Sequence, residues 1–341
     1  MNLLLEKFSI LLTERLGRKM VIVSVEKIQG GFEAEAFLLV SSSGEKFFVK
    51  KMLNGLFPEN NLHNLLVSHS MMNRSNVSNN SIGVALVVNE ELILTPDSLK
   101  EVYQIQHYED LHSENYFEKL KKYADLGDIN EEIVSDTKEI ADLLVRIHST
   151  KIEEFNQDEK KRLYNRSLES VLATPGMFFF FLNTFNADNK IFPKTEHSEY
   201  VSLMVNKMNL YINSENRLRV LHGDFWGTNL HKKAGGWYAV DYSRFPFGEP
   251  AIDVASFLAQ YLWLYHESGN EIYKKIGEVF LNEFENISGD KDIRKFITFP
   301  LGLYGMIWIT PEFYPDLDKK IASKFFGTIW KNLKSKEFCW E

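Results

Sequence analysis

The chain of 341 residues carries one cysteine, Cys339. A single thiol makes no internal disulfide, and zinc sites built from several thiolates are excluded. The histidines show no His-x-x-x-His pair with a third ligand, so no transition-metal centre is expected. Long apolar runs are missing as well. No uncharged stretch approaches the roughly 18 residues of a membrane span. The most apolar pieces, Met177 to Leu182 and Leu301 to Ile309, are short and read as buried core. The start, from Met1 to Lys7, has no basic segment followed by a long apolar run, so no signal peptide is expected and the expected compartment is the cytoplasm. Positive charge is not in excess: 39 Lys and Arg stand against 47 Asp and Glu, a net charge of −8. That balance argues against a broad nucleic-acid surface, which needs a positive field. Internal repeats and low-complexity tracts are absent too.

What is present is an ordinary globular composition, 44% hydrophobic and 25% charged, which excludes disorder and collagen-like structure. The length exceeds what one core usually holds, so two lobes are expected. Apolar residues at 4, 5, 8, 11, 12 and 16 make one helix face, with Gly17 as a stop. Period-two patterning then predicts strands over 21–28, 36–40, 46–52, 84–88, 92–95 and 102–108, with a helix over 62–72. Beyond about residue 110 the patterning is mostly helical. Ile133, Ile140, Leu144 and Ile147 share a face, and further helices are predicted over 163–172, 201–212, 252–265, 272–284, 293–309 and 321–333. Only 218–221 and 237–242 interrupt as strands, with the turn Ala234-Gly235-Gly236 between them. The chemistry of such a chain is expected where its strand-rich and helix-rich parts meet.

The informative stretch runs Val220-Leu221-His222-Gly223-Asp224-Phe225-Trp226-Gly227-Thr228-Asn229. A short strand enters a turn bearing Asp224, and Asn229 follows five residues on. A hairpin then returns the chain to Val240-Asp241-Tyr242, bringing Asp241 back beside Asn229. One amide oxygen and two carboxylates converge. Mg²⁺ takes oxygen ligands and keeps several waters, so an Asp, an Asn and nucleotide phosphates satisfy it. A second Asp outside that set can orient and deprotonate an attacking hydroxyl. Phosphoryl transfer needs little more than positioning and charge neutralisation.

These residues resemble the aminoglycoside phosphotransferase and choline kinase superfamily. The later segment Gly248-Glu249-Pro250-Ala251-Ile252-Asp253-Val254-Ala255 matches the same pattern. The resemblance implies an α+β, protein-kinase-like two-lobe fold: an N-lobe with an antiparallel sheet plus helix, residues 1–107, and a mainly helical C-lobe, residues 108–341. It implies Asp224 as catalytic base, Asn229 and Asp241 as Mg²⁺ ligands, and Asp253 as a buried brace accepting backbone N–H bonds from the catalytic loop. In the N-lobe, Gly30 and Gly31 would form the turn over the phosphates of ATP or GTP. Lys50 of Phe47-Phe48-Val49-Lys50 would contact those phosphates, with Lys51 the alternative on the opposite face. The family's usual helix Glu is not found within 62–72, and Glu59 is the nearest candidate. Gln106 to Tyr108 would form the hinge whose backbone binds adenine.

The implied activity is γ-phosphoryl transfer to a hydroxyl of a small, amine-bearing molecule. An aminoglycoside or other amino sugar is the first reading. Choline, ethanolamine and fructosamine kinases are alternatives, as is a catalytically silent binding protein. A protein kinase fits less well: no Ala-Pro-Glu block follows Asp241, and the short step to Gly248 leaves little room for an activation loop.

Overall fold

The computed structural model describes residues 2–28, 34–52, 81–88, 99–107, 114–124, 128–150, 155–172, 184–185, 191–233, 235–242, 246–311 and 313–340. The chain divides into two compact units, Met1–His112 and Ser113–Glu341. The helix expected over 62–72, the strand expected over 92–95, Glu59, Gly30, Gly31 and Tyr108 lie outside the described residues.

In the first unit, helix α1 (Asn2–Leu16) precedes strands β1 (Ile22–Ile28), β2 (Ala34–Ser41), β3 (Lys46–Met52), β4 (Ser81–Val88) and β5 (Leu99–His107). They form an antiparallel sheet in the order β1-β2-β3-β5-β4. Strand side chains alternate between faces. Leu39, Phe47, Val49 and Ile105 therefore share the face that buries Phe8 and Leu12 of α1, together with Met20 and Ile22. This is the apolar stripe of the first sixteen residues meeting the period-two stripe of the sheet. Removing Phe47 or Val49 from this layer costs both transfer energy and a cavity.

The second unit contains α2 (Tyr116–Ala124), α3 (Glu131–His148), α4 (Gln157–Leu172), α5 (His197–Met208), β6 (Arg219–Val220), β7 (Leu230–Lys233), β8 (Gly236–Ala239), β9 (Phe247–Gly248), α6 (Ala251–Ser268), α7 (Ile272–Ser288), α8 (Ile293–Phe296), α9 (Thr298–Trp308) and α10 (Lys319–Lys334). Asn130 caps α3, its side chain accepting from Ile133 N, and Asp318 caps α10 in the same way. Helix α6 is buried at every position from Ala251 to Leu264. A helix apolar on all sides belongs in the middle of a core, and α7, α9 and α10 all pack against it.

Helices α8 and α9 together fill the single helix predicted over 293–309: Ile297 between them keeps helical angles, donating to Ile293 O at 2.9 Å and accepting from Leu301 N at 3.0 Å. Pro300 has no N–H, so the carbonyl of Phe296 lacks its usual donor four residues on. The Tyr211 hydroxyl donates to that carbonyl instead. Helix α2 is an addition that periodicity alone did not suggest, being only 9 residues long.

At the far end of α6, His266 Nε2 meets Thr328 Oγ1 of α10 at 2.9 Å. Burial, with Lys274 and Lys324 nearby, pushes the His266 pKa down to about 4. The unfolded chain takes up this proton near pH 6.5, before the folded one does. Folding stability is therefore full above pH 6.5 and falls as the pH drops toward 4. The ring is partly exposed and solvent screens its charge, so the expected loss from this group is roughly 1–2 kcal/mol. Urea unfolding at pH 7 and pH 4.5 measures it, and His266→Gln should flatten that part of the profile.

Candidate active site

The site grows from the end of β6. His222, Gly223 and Asp224 follow it in a turn that Gly223 enters with φ 83, a left-handed conformation that glycine adopts without strain. Asp253, in the first turn of α6, is fully buried. It accepts from His222 N and Gly223 N, both at 2.8 Å, and from His148 Nε2 of α3 at 3.0 Å. The brace implied by the sequence resemblance is thus in place, and its third partner, His148, had no local signal.

The ring of His222 links the turn to the hairpin. Its Nδ1 accepts from Asp224 N at 3.2 Å, and its Nε2 donates to Val240 O at 2.8 Å. One nitrogen accepting and the other donating defines a neutral imidazole. Burial lowers its pKa against the opposing pull of Asp253, Asp224 and Asp241. Three carboxylates therefore surround one buried ring.

Asn229 donates through Nδ2 to Asp224 O at 2.9 Å and to Asp224 Oδ2 at 3.3 Å. Its own carbonyl accepts from Val240 N at 2.9 Å. With Nδ2 turned to Asp224, Oδ1 is the Asn229 atom left to face a cation. Strands β7 and β8 pair from Leu230 with Ala239 to Lys233 with Gly236, and return the chain to Val240. Both backbone groups of Val240 are held by the 222–229 segment. The next residue, Asp241, has φ 65. A non-glycine residue in this region is uncommon, and such residues concentrate at functional sites. Asp224, Asn229 and Asp241 are each half-buried. Among the described residues no three His, Cys, Asp or Glu side chains gather as a complete metal cage. A hard cation fits this donor set with its shell completed by phosphates and water.

The loop between Asp224 and Asn229 is packed tightly. Gly227 N donates to Gln260 Oε1 of α6 at 2.9 Å. A Cβ at Gly227 would lie 2.7 Å from that oxygen and 2.7 Å from Phe117 N of α2. Gly227→Ala is expected to destabilise the protein by about 1–3 kcal/mol, because backbone must move. Thermal unfolding of the variant checks this.

Beside the loop stands an aromatic group. Trp226 lies 5.9 Å from Phe117 and 6.0 Å from Trp308, between ring centroids. Trp308 in turn stacks on Trp263 and on Tyr314, each at 5.4 Å. Trp226 and Phe117 are half-buried, and Lys121 Nζ lies 4.9 Å from the centre of the Phe117 ring.

Behind the site, Glu249 precedes α6 and is fully buried. Arg217 grips it through Nε and Nη2 at 2.7–3.1 Å and reaches Asp290 through Nη1 and Nη2 at 2.9 and 2.7 Å. Tyr164 OH donates to Glu249 at 2.7 Å. Burial works against the charge of Arg217, but the two carboxylates outweigh it and push its pKa up. Nothing in the sequence around Arg217 marked it for this role.

In the first unit, Lys50 pairs with Ala36 on one side and Gln104 on the other. It shares with Gln104 and Gln106 the sheet face away from α1. Lys51 points to the α1 side, with Nζ 4.0 Å from Glu35. Gln106 lies inside β5, opposite Phe48 and Ser81.

No family model matches the chain, and no curated protein does. Solved structures do. An ethanolamine kinase of Plasmodium vivax superposes with a TM-score of 0.57 at 13% identity, over 90% of this chain and 81% of that one. An amicoumacin kinase in complex with AMP-PNP, Ca²⁺ and Ami gives 0.55 at 12% identity, over 93% and 90%. A choline kinase of Cryptosporidium parvum gives 0.54 at 13%, over 92% and 89%. The chain has the two-lobe, kinase-like α+β fold of these small-molecule kinases. At such identities the likeness establishes the fold alone.

Proposed function

We propose that the protein transfers the γ-phosphoryl group of ATP, or GTP, to a hydroxyl of a small amine-bearing molecule. The observation that supports this reading is Val240, bonded through both backbone groups to His222 and Asn229, which brings the chain back to the 222–229 loop one residue before Asp241. Asp224 takes the proton of the acceptor hydroxyl. The hydroxyl oxygen then bonds to the γ-phosphorus, and the bond from that phosphorus to the bridging oxygen breaks, releasing the nucleoside diphosphate. Asn229 Oδ1 and the Asp241 carboxylate are the residues to hold Mg²⁺, which neutralises phosphate charge when bound. Lys50 and the Gly30-Gly31 turn bind the phosphates, and the segment from Gln106 to Tyr108 binds adenine.

The acceptor class is drawn from amino sugars, choline, ethanolamine and fructosamines. Ethanolamine and choline are the substrates named for two of the fold neighbours. The half-buried ring of Trp226 beside the loop suits a compact organic ammonium, since cations bind aromatic faces; the Phe117 ring already carries Lys121 Nζ at 4.9 Å. The test is ADP release from Mg·ATP across a panel holding an aminoglycoside, a fructosamine, choline and ethanolamine. The expected result is release that requires both Mg²⁺ and one class of acceptor. Nucleotide binding with no metal-dependent release, with or without acceptor, would instead support the silent binding reading.

A further inference from the structure

Asp136 lies in the first half of α3, and its side chain is 1% exposed. Its two oxygens are divided between two elements. Oδ1 accepts from Lys232 Nζ of β7 and, at 3.1 Å, from Trp237 Nε1 of β8. Lys232 and Trp237 are opposite each other, so Oδ1 closes on one rung of the hairpin. Oδ2 accepts from Lys119 Nζ and, at 2.5 Å, from Tyr123 OH, both on α2. Burial pushes the Asp136 pKa up, but these four donors outweigh it and hold it at about 2. The carboxylate is therefore charged, buried and fully committed, an arrangement that specifies geometry strongly because a buried charge that loses its donors is left uncompensated.

The same helix reaches the other half of the site. His148, at the C-terminal end of α3, donates to Asp253, the residue that holds the His222-Gly223 backbone. Twelve residues of helix separate Asp136 from His148, about 18 Å at 1.5 Å per residue. Helix α2, gripped by Oδ2, abuts Gly227 of the loop. One rigid helix thus touches the hairpin that carries Asn229 and Asp241, and, through Asp253, the turn that carries Asp224.

We propose that Asp136 is a positioning residue that sets the hairpin, and with it Asn229 and Asp241, in register with Asp224. The inference rests on the metal-ligand roles given above to Asn229 and Asp241. Partners that orient metal ligands typically contribute 10–100-fold in metal affinity or activity.

The test measures Mn²⁺ binding in the presence of AMP-PNP by electron paramagnetic resonance, in the whole chain. Asp136→Asn is expected to weaken that binding about tenfold. The Mg²⁺ concentration for half-maximal phosphoryl transfer should rise in step, with excess Mg²⁺ restoring part of the velocity. Trp237→Phe keeps a ring and removes one donor, so it should fold and shift both readouts the same way by less. Glu278→Gln is the control: Glu278 also joins a partly buried Arg and a Trp Nε1, through Arg294 and Trp340, away from the hairpin. It should lower stability while leaving Mn²⁺ binding within about twofold of the unaltered protein. Unchanged Mn²⁺ affinity in Asp136→Asn and Trp237→Phe overturns the proposal. If the unaltered protein binds no Mn²⁺ with AMP-PNP, the metal reading itself fails. Hydrogen exchange then decides on Asp136: faster exchange confined to 229–241 in both variants supports the hairpin role, and unchanged exchange there overturns it.

Discussion

Replacing Asp224 by alanine should lower phosphoryl-transfer turnover by about 10²–10⁴-fold, the usual contribution of a positioned base. The protein should remain folded, because the Asp224 backbone keeps its bonds: its N–H to His222 Nδ1 and its carbonyl from Asn229 Nδ2. The carboxylate is half-buried at the surface of a braced turn, so removing it leaves no large cavity. Asp224→Asn keeps the shape and removes the base, and should lose a similar amount. Steady-state turnover with the best acceptor, alongside Mg·nucleotide binding, separates the two effects. Binding should persist while turnover falls. A loss of less than about tenfold in both variants would remove Asp224 from the proton-transfer role.

Replacing Arg217 by methionine should cost about 3–5 kcal/mol of stability. Glu249 is fully buried, and its remaining partners are Tyr164 OH and, at 3.3 Å, Ala251 N. A buried carboxylate stripped of its counter-charge pays the full desolvation penalty. Asp290 loses its bidentate partner in the same step, and the stacking of the guanidinium 3.9 Å over the Phe296 ring is lost too. Urea unfolding at pH 7 measures the loss. Adding Glu249→Gln to Arg217→Met should recover part of it, since no unpaired charge then stays buried. A loss below about 1 kcal/mol in the single variant would mean that the network contributes little. Glu249 adjoins the first turn of α6 and Asp253, so damage here is expected to loosen the turn that bears Asp224 as well as the fold.

The difference between these two residues reflects how each was legible. Asp224, Asn229 and Asp241 lie within eighteen positions of one another. A strand, a turn and a hairpin are local structures with local signals, so their meeting follows from spacing. The strands of the first unit were readable for the same reason, since period-two patterning is a local property. Arg217, Asp136 and His148 act across 32, 96 and 105 positions, on Glu249, Lys232 and Asp253. No periodicity marks such pairs. The missing backbone bond at the joint of α8 and α9 belongs with them: Pro300 is visible in the chain, but the Tyr211 hydroxyl that replaces its N–H is 85 positions from the carbonyl it meets.

The amino-acid order by itself determined most of the described strands and helices, the hairpin that returns the chain from Asn229 to Asp241, and the turn residues around Asp224. Each of these depends on neighbours in the chain. Only the tertiary structure decided which distant side chains hold those pieces together: His148 on Asp253, Asp136 across the hairpin, Arg217 beside Glu249. A charge is tolerated in the core only where partners from distant segments meet it at hydrogen-bond distance, and that meeting exists only after the helices have packed.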